Sequence, residues 1–295
     1  MYKDEIIDAH FHLWDLDHGD YPWLKGEGGH FENIIGDYKK IKKSFLIQDY
    51  EALVKPFNIA KAVHIEANTS IKKALYETEW LQKIADSHGF PQAIVAQADL
   101  TDPDIENDLK DHCQFPNVRG IRQILFQEPG SQQRDLLNDP KWQKGLKALS
   151  SQLLSFDIAV FGHQIRDVAK VTKEYDGVMF VLDHLGWPLD LSEGGFSKWM
   201  EDISLLAENK NVYLKVSGIG LAFRSYDNVN IEKFLHGGIR AFGTDRCIFG
   251  GNVPPDILFM SYSEIIDIFR RTLSLYDLED QRKIFYENAK QFYEL

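Results

Sequence analysis

Only two cysteines, Cys113 and Cys247, occur among 295 residues. That is too few to staple a chain of this length, so a disulfide framework is excluded. Long hydrophobic runs are lacking as well: no window approaches the about 18 uninterrupted apolar residues of a membrane span. The opening MYKDEIIDAH has none of the apolar stretch of a secretion signal. Positive charge is scarce, with 33 Lys plus Arg against 45 Asp plus Glu and a formal net charge of -12. That balance argues against a nucleic-acid backbone and against an anionic membrane surface as partner. A small anionic substrate stays compatible with it, because a pocket can be locally basic. Low-complexity tracts, charge blocks and linkers are missing too. No glycine-rich dinucleotide fingerprint follows the first apolar run, where Ile7 leads into Ala9-His10-Phe11-His12. The expectation left by these absences is a cytoplasmic globular protein with a small-molecule substrate, its oligomeric state open.

What is present is a large core. Hydrophobic residues make up 44% of the chain and aromatics 13%, which is incompatible with a disordered or fibrous protein. Eight apolar, β-branched runs recur: Ile6–Leu13, Ala62–Ala67, Ala93–Leu100, Val118–Phe126, Phe156–Phe161, Val178–Leu185, Val212–Ile219 and Cys247–Asn252. Their starts lie roughly 25–55 residues apart, the spacing of a strand plus a crossover helix. Helical periodicity fills the gaps, as in Ala74–His88, which stops at Gly89, and in Trp142–Leu153, Val168–Tyr175, Trp199–Ala207, Ile231–Phe242 and Tyr262–Leu275. A further helix over Asp280–Tyr293 is placed to close the bottom. Eight β/α units over residues 1–295 predict a single α/β domain, a (β/α)8 TIM barrel; an open doubly wound sheet is the alternative. One connection is abnormally long. More than 30 residues separate the first strand from a helix near Asp49–Phe57, and they contain Trp14, Tyr21, Trp23, His30 and Phe31. Such a loop is either a lid over the strand C-termini or a cap on the barrel mouth.

Candidate chemistry clusters at strand ends. His10 and His12 are two apart, so on a strand they share a face while Phe11 turns to the helices; two fixed imidazoles there can hold a divalent metal. Asp183-His184-Leu185-Gly186 follows the sixth run, either delivering functional groups to the mouth or burying Asp183 on backbone amides beside a satisfied His184. His64 and Glu66 are again two apart and co-facial, and His163 follows the fifth run. Arg119 and Arg122 are three apart, so at most one faces inward on a regular strand. A guanidinium at the mouth suits a substrate carboxylate or a polarised carbonyl. Asn252 ends the eighth run, with Asp256 beyond two prolines. Lys215 shares its face with Tyr213 and Ser217 and is either a site residue or a snorkelling one. His18, His88, His112 and His236 read as surface residues.

In combination, IIDAHFHLWD with YPWL, VRGIRQIL, VLDHLGWP, KVSG, FGTDRCIFG and ENAKQFYEL resemble the amidohydrolase superfamily. The nearer similarity is to its amidohydrolase-2 branch of TIM-barrel lactonases, relatives of the sugar-lactone and pyrone dicarboxylate lactonases. The resemblance runs over essentially the whole chain. It implies a barrel whose site lies at the strand C-termini and which hydrolyses a lactone or similar cyclic ester, with or without one divalent metal, zinc by preference. It implies His10, His12 and His184 as metal ligands and Arg119 and Arg122 as substrate-side arginines; Trp14, His64, Glu66 and His163 are further candidate substrate contacts from their places in the long loop and at strand ends. It implies a water-activating aspartate on the eighth strand. Here that position is Asn252, which leaves His184, Asp256 or a metal hydroxide as the base. Two rivals stand beside this reading: a decarboxylase of a small aromatic acid on the same scaffold, and a binding barrel that has lost its catalyst.

Overall fold

The computed structural model describes residues 2–26, 30–130, 134–224 and 228–295, without the side chains of His30, Asn228 and Val229. Eight strands form one parallel sheet in sequential order: β1 (Ile6–Phe11), β2 (Ile59–Ile65), β3 (Ala93–Gln97), β4 (Val118–Ile124), β5 (Ser155–Ala159), β6 (Phe180–Leu182), β7 (Val212–Val216) and β8 (Cys247–Phe249). The sheet closes through backbone bonds between its first and last strands, His12 N–H to the Val253 carbonyl (2.8 Å) and Asn252 N–H to the His10 carbonyl (2.7 Å). Helices alternate with the strands, and the result is a (β/α)8 TIM barrel.

Local sequence explains most of the frame. The helix Ala74–His88 ends at Gly89 in a left-handed conformation with φ 79°, the cap its sequence predicts. A helix at Ile105–His112 escaped the sequence reading because only Ile105, Leu109 and His112 are buried, too thin a stripe to stand out. The same helix buries His112 against Thr78, correcting its reading as a surface residue. The lower barrel is filled by Ile7, Ala9, Val63, Ile65, Val95, Val181 and Ile248. Ala289 and Tyr293, from the terminal helical segments at Leu278–Phe292 and just beyond, complete that filling and close the bottom as expected.

Two departures from regular strands shape the mouth. Asp8 pairs with Ala62 and Phe11 with His64, three steps on β1 against two on β2, so β1 carries a bulge. Plain alternation from the inward Ile7 and Ala9 would have sent His10 outward. The extra residue instead puts His10 and His12 over the barrel interior and stacks Phe11 on the outer Tyr50 (4.0 Å between centroids). On β6 the sequence run Val178–Leu185 overestimates the strand, which stops at Leu182. His184, Leu185, Gly186 and Trp187 then follow with φ of 55°, 58°, 65° and 39°, a left-handed turn that lifts two side chains into the mouth.

Candidate active site

A pocket opens at the C-terminal end of the barrel. Rings from the long first loop (Trp14, Trp23, Phe31) and from later turns (Phe126, Trp187) form much of its wall, and His12, Asn68, Arg122, His184 and Asn252 supply its polar groups. The long loop is tied down rather than loose. Trp14 Nε1 donates to the Lys43 carbonyl (2.7 Å), Trp23 Nε1 to the Ala67 carbonyl (2.9 Å), and the Tyr38 hydroxyl to the Trp23 carbonyl (2.8 Å). Within that loop, residues 27–29 and the side chain of His30 lie outside the described residues.

The imidazoles have fixed orientations. His12 Nδ1 donates to the Ile65 carbonyl (2.8 Å), which leaves Nε2 as a lone-pair acceptor. His184 Nδ1 bonds Ser217 Oγ (2.9 Å). A Cβ on Gly218, whose φ is 66°, would stand 2.4 Å from that same Nδ1, so only glycine lets the ring sit there. His10 lies between the two, with ring centroids 4.5 Å from His184 and 5.0 Å from His12. Burial pushes His10 and His12 well below their ordinary range, with Arg122 adding to the effect on His12. Burial also takes His184 down to about 4. All three are therefore neutral at pH 7.

Below these rings the barrel carries charge. Arg122 donates through Nε to Glu66 Oε1 and through Nη2 to the Glu66 carbonyl (2.7 Å each), and its Nη1 is 3.6 Å from Asp183 Oδ2. The fully buried Lys215 Nζ lies 3.1 Å from Asp183 Oδ1 and 2.5 Å from Asp157 Oδ2, which also accepts from the Tyr293 hydroxyl at 2.9 Å. Burial alone would raise the Asp183 carboxyl, but Lys215 and then His10 outweigh it and hold the group well below the carboxylate range. Asp157 goes the other way, pushed up to about 6 by burial with Lys215 only partly offsetting.

One ligand atom each from His10, Asp183 and His184 lies within 4.8 Å of the other two. His10 Nε2 is moreover a buried nitrogen with no hydrogen-bond partner. Two neutral imidazoles and an ionised carboxylate are a donor set that fits a divalent metal of the zinc type. Of the expected trio, His10 and His184 belong to that cluster together with Asp183, while His12 lies outside it.

Four expected site residues are elsewhere. Arg119 donates to the Pro116 and Val118 carbonyls (2.7 and 2.8 Å) at the opposite end of the barrel, beside Cys113 and Phe292, because β4 turns only Arg122 inward. His64 is not co-facial with Glu66: Val63 and Ile65 point inward, and His64 meets Phe11 outside the sheet, its Nε2 accepting the Leu13 N–H at 2.9 Å. His163 is absent from the pocket wall and stacks on Phe161 at 6.4 Å. Asp256 turns away from the pocket to accept from the Gly220 and Leu221 N–H groups (2.9 and 3.1 Å) and from Asn252 Nδ2 (2.7 Å). Burial pushes its carboxyl up to about 7. The bond with Asn252 engages that amide through its nitrogen. Glu66 holds Arg122 from behind. The sequence reading missed Asp157 and Asp8, although a lone carboxylate within Phe156-Asp157-Ile158 or Ile7-Asp8-Ala9 was the signal. Asp8 accepts from Gly251 N–H, Tyr262 and Tyr50 (2.7, 2.9 and 3.2 Å), pinning β8 beside the bulge.

Imidazoles, a carboxylate and an arginine gathered at the strand ends of a TIM barrel beside aromatic rings have the placement of an enzyme active site. The amidohydrolase family model matches residues 7–295, and the chain belongs to that family of enzymes. It is 36% identical to the protein y4mH of Sinorhizobium fredii, over 98% of both chains. It is 27% identical to the L-fucono-1,5-lactonase of Burkholderia multivorans, over 90% of this chain and 87% of that one. A crystal structure of an amidohydrolase from Burkholderia multivorans with bound zinc superposes with a TM-score of 0.84 at 24% identity, covering 98% and 99% of the two chains. Among the described residues no helix is long and apolar enough to cross a membrane.

Proposed function

We propose that this chain hydrolyses a small lactone by adding water to the ring carbonyl. The observation that carries the reading is the pairing of His12 and His184, both neutral and orientation-locked, with Arg122 in the wall of one largely apolar pocket. The similarity to a fucono-lactonase supports a lactone as substrate.

In this reading His12 is the base. Its Nε2 has no other commitment, and a neutral imidazole takes a proton from water as the oxygen attacks. The negative charge that develops on the carbonyl oxygen is met by Arg122, whose guanidinium Glu66 holds in place. Collapse breaks the ring C–O bond, and protonated His12 returns its proton to the leaving alkoxide. Asn252 accepts a hydrogen bond from substrate or water through Oδ1, since Nδ2 is engaged by Asp256. A divalent ion held by His10, Asp183 and His184 would supply Lewis-acid polarisation of the carbonyl. The apolar rings exclude bulk water and strengthen each of these electrostatic contacts.

The test is a panel of sugar and aromatic lactones assayed for acid release, with chelator-treated and zinc-loaded protein side by side. Saturable acid release supports the reading. Release of CO₂ from aromatic acids without ring opening overturns it in favour of decarboxylation, and tight binding without turnover overturns it in favour of a binding barrel.

A further inference from the structure

The mechanism leaves Lys215 without a task, yet it stands at the centre of the barrel. It is fully buried on β7, and its ammonium has three polar neighbours: Asp157 Oδ2 at 2.5 Å, Asp183 Oδ1 at 3.1 Å and His10 Nδ1 at 3.4 Å. Two of those three belong to the cluster that fits a divalent cation. A simple structural ion pair would need only Asp157. We propose that Lys215 is a built-in cation that competes with the metal for Asp183, with Asp157 drawing it partly away, so that the Asp157–Lys215 pair sets how tightly the site holds metal.

The physical argument is one of shared charge. Asp183 already faces an ammonium at 3.1 Å and a guanidinium at 3.6 Å. A carboxylate so engaged donates less to a third cation, and like charges a few ångströms apart repel strongly where water is excluded. Asp157 opposes this. It lies nearer to Lys215 than Asp183 does, and the Tyr293 hydroxyl fixes the same oxygen at 2.9 Å. The pair therefore acts as an adjustable counterweight, and its two members have opposite effects. Deleting the ammonium frees Asp183 for metal. Deleting only the Asp157 charge hands the ammonium to Asp183 and crowds metal out. A merely structural role would weaken binding in both cases.

This inference rests on reading His10, Asp183 and His184 as the metal site, and not on lactone hydrolysis. Its experiment is accordingly a binding measurement: zinc titrated into the chelator-stripped full chain in competition with a chromophoric chelator. Asp157→Asn combined with Lys215→Met should bind zinc at least about tenfold more tightly than the wild type, given the Coulomb energies at these separations. Asp157→Asn alone should bind several-fold more weakly. Should the Met variant fail to fold, Asp157→Asn with Lys215→Gln keeps a hydrogen-bonding side chain without the charge and should show the same gain. Weakening in every variant, an unchanged affinity in the charge-deleted ones, or no zinc bound by any form would each overturn the proposal.

Discussion

At the mouth of the barrel, Trp14, Trp23, Phe31 and Trp187 surround a handful of polar atoms. One layer down, a buried chain of ion pairs runs from Arg122 at the pocket wall through Asp183 and Lys215 to Asp157. The mouth uses apolar surface to bind and to dry the site; the shaft uses charge to fix protonation states and orientation. Neither layer would serve alone. Without the shaft, nothing would keep Asp183 ionised beneath apolar rings. Without the mouth, water would screen the charges that act on substrate.

The largest effect that can separate the two layers should come from the imidazole proposed as the base. His12→Asn should lower kcat by about 10²–10⁴-fold with the thermal midpoint nearly unchanged. Because burial holds His12 well below its ordinary range and His184 at about 4, both stay neutral as pH falls through 6.5. The wild-type rate should therefore persist on acidification through pH 6.5 and fall only well below it, where His12 takes up its proton. A limb near 6.5 would mean that His12 is not the base.

In the shaft the loss should appear in stability. Lys215→Met strands two buried carboxylates, and breaking a buried pair from one side costs about 3–5 kcal/mol, readable as a denaturant midpoint shift. The paired change that also makes Asp157 an asparagine should recover much of it. If the single and paired variants melted alike, the ion pair would not couple these residues.

Smaller effects should follow in the lid. Trp23→Leu removes a wall ring and its bond to the Ala67 carbonyl, so KM should rise several-fold while kcat changes little. A fall in kcat with KM unchanged would place Trp23 in the chemistry rather than in binding. The smallest effect belongs to Arg119, three residues from Arg122 but at the far end of the strand. Arg119→Met should leave kcat/KM unchanged and stability within about 0.5 kcal/mol, whereas Arg122→Met should cost on the order of 2–4 kcal/mol in transition-state binding. Equal losses at the two arginines would mean that neither touches substrate.

The barrel was legible in the residues because each β/α unit has to bury an apolar strand between helices, and eight such runs leave few alternatives. The sequence also singled out His12, His184, Arg122, Asn252 and Trp14 from their places at the ends of apolar runs or just beyond them, and all five line the pocket. What the chain could not disclose in one dimension was which way single residues turn. A bulge between Asp8 and Phe11 decides that His10 faces inward, a left-handed turn decides where His184 goes, and the barrel decides that it is Arg122 rather than Arg119 that faces the pocket. The partners of buried charge lie far apart in the chain: the Lys215–Asp157 bond spans 58 residues and the Tyr293–Asp157 bond 136. Periodicity reports burial along one segment. Ion pairing at the barrel axis depends on strands that meet only when the sheet closes, and that closure is a property of the tertiary structure alone.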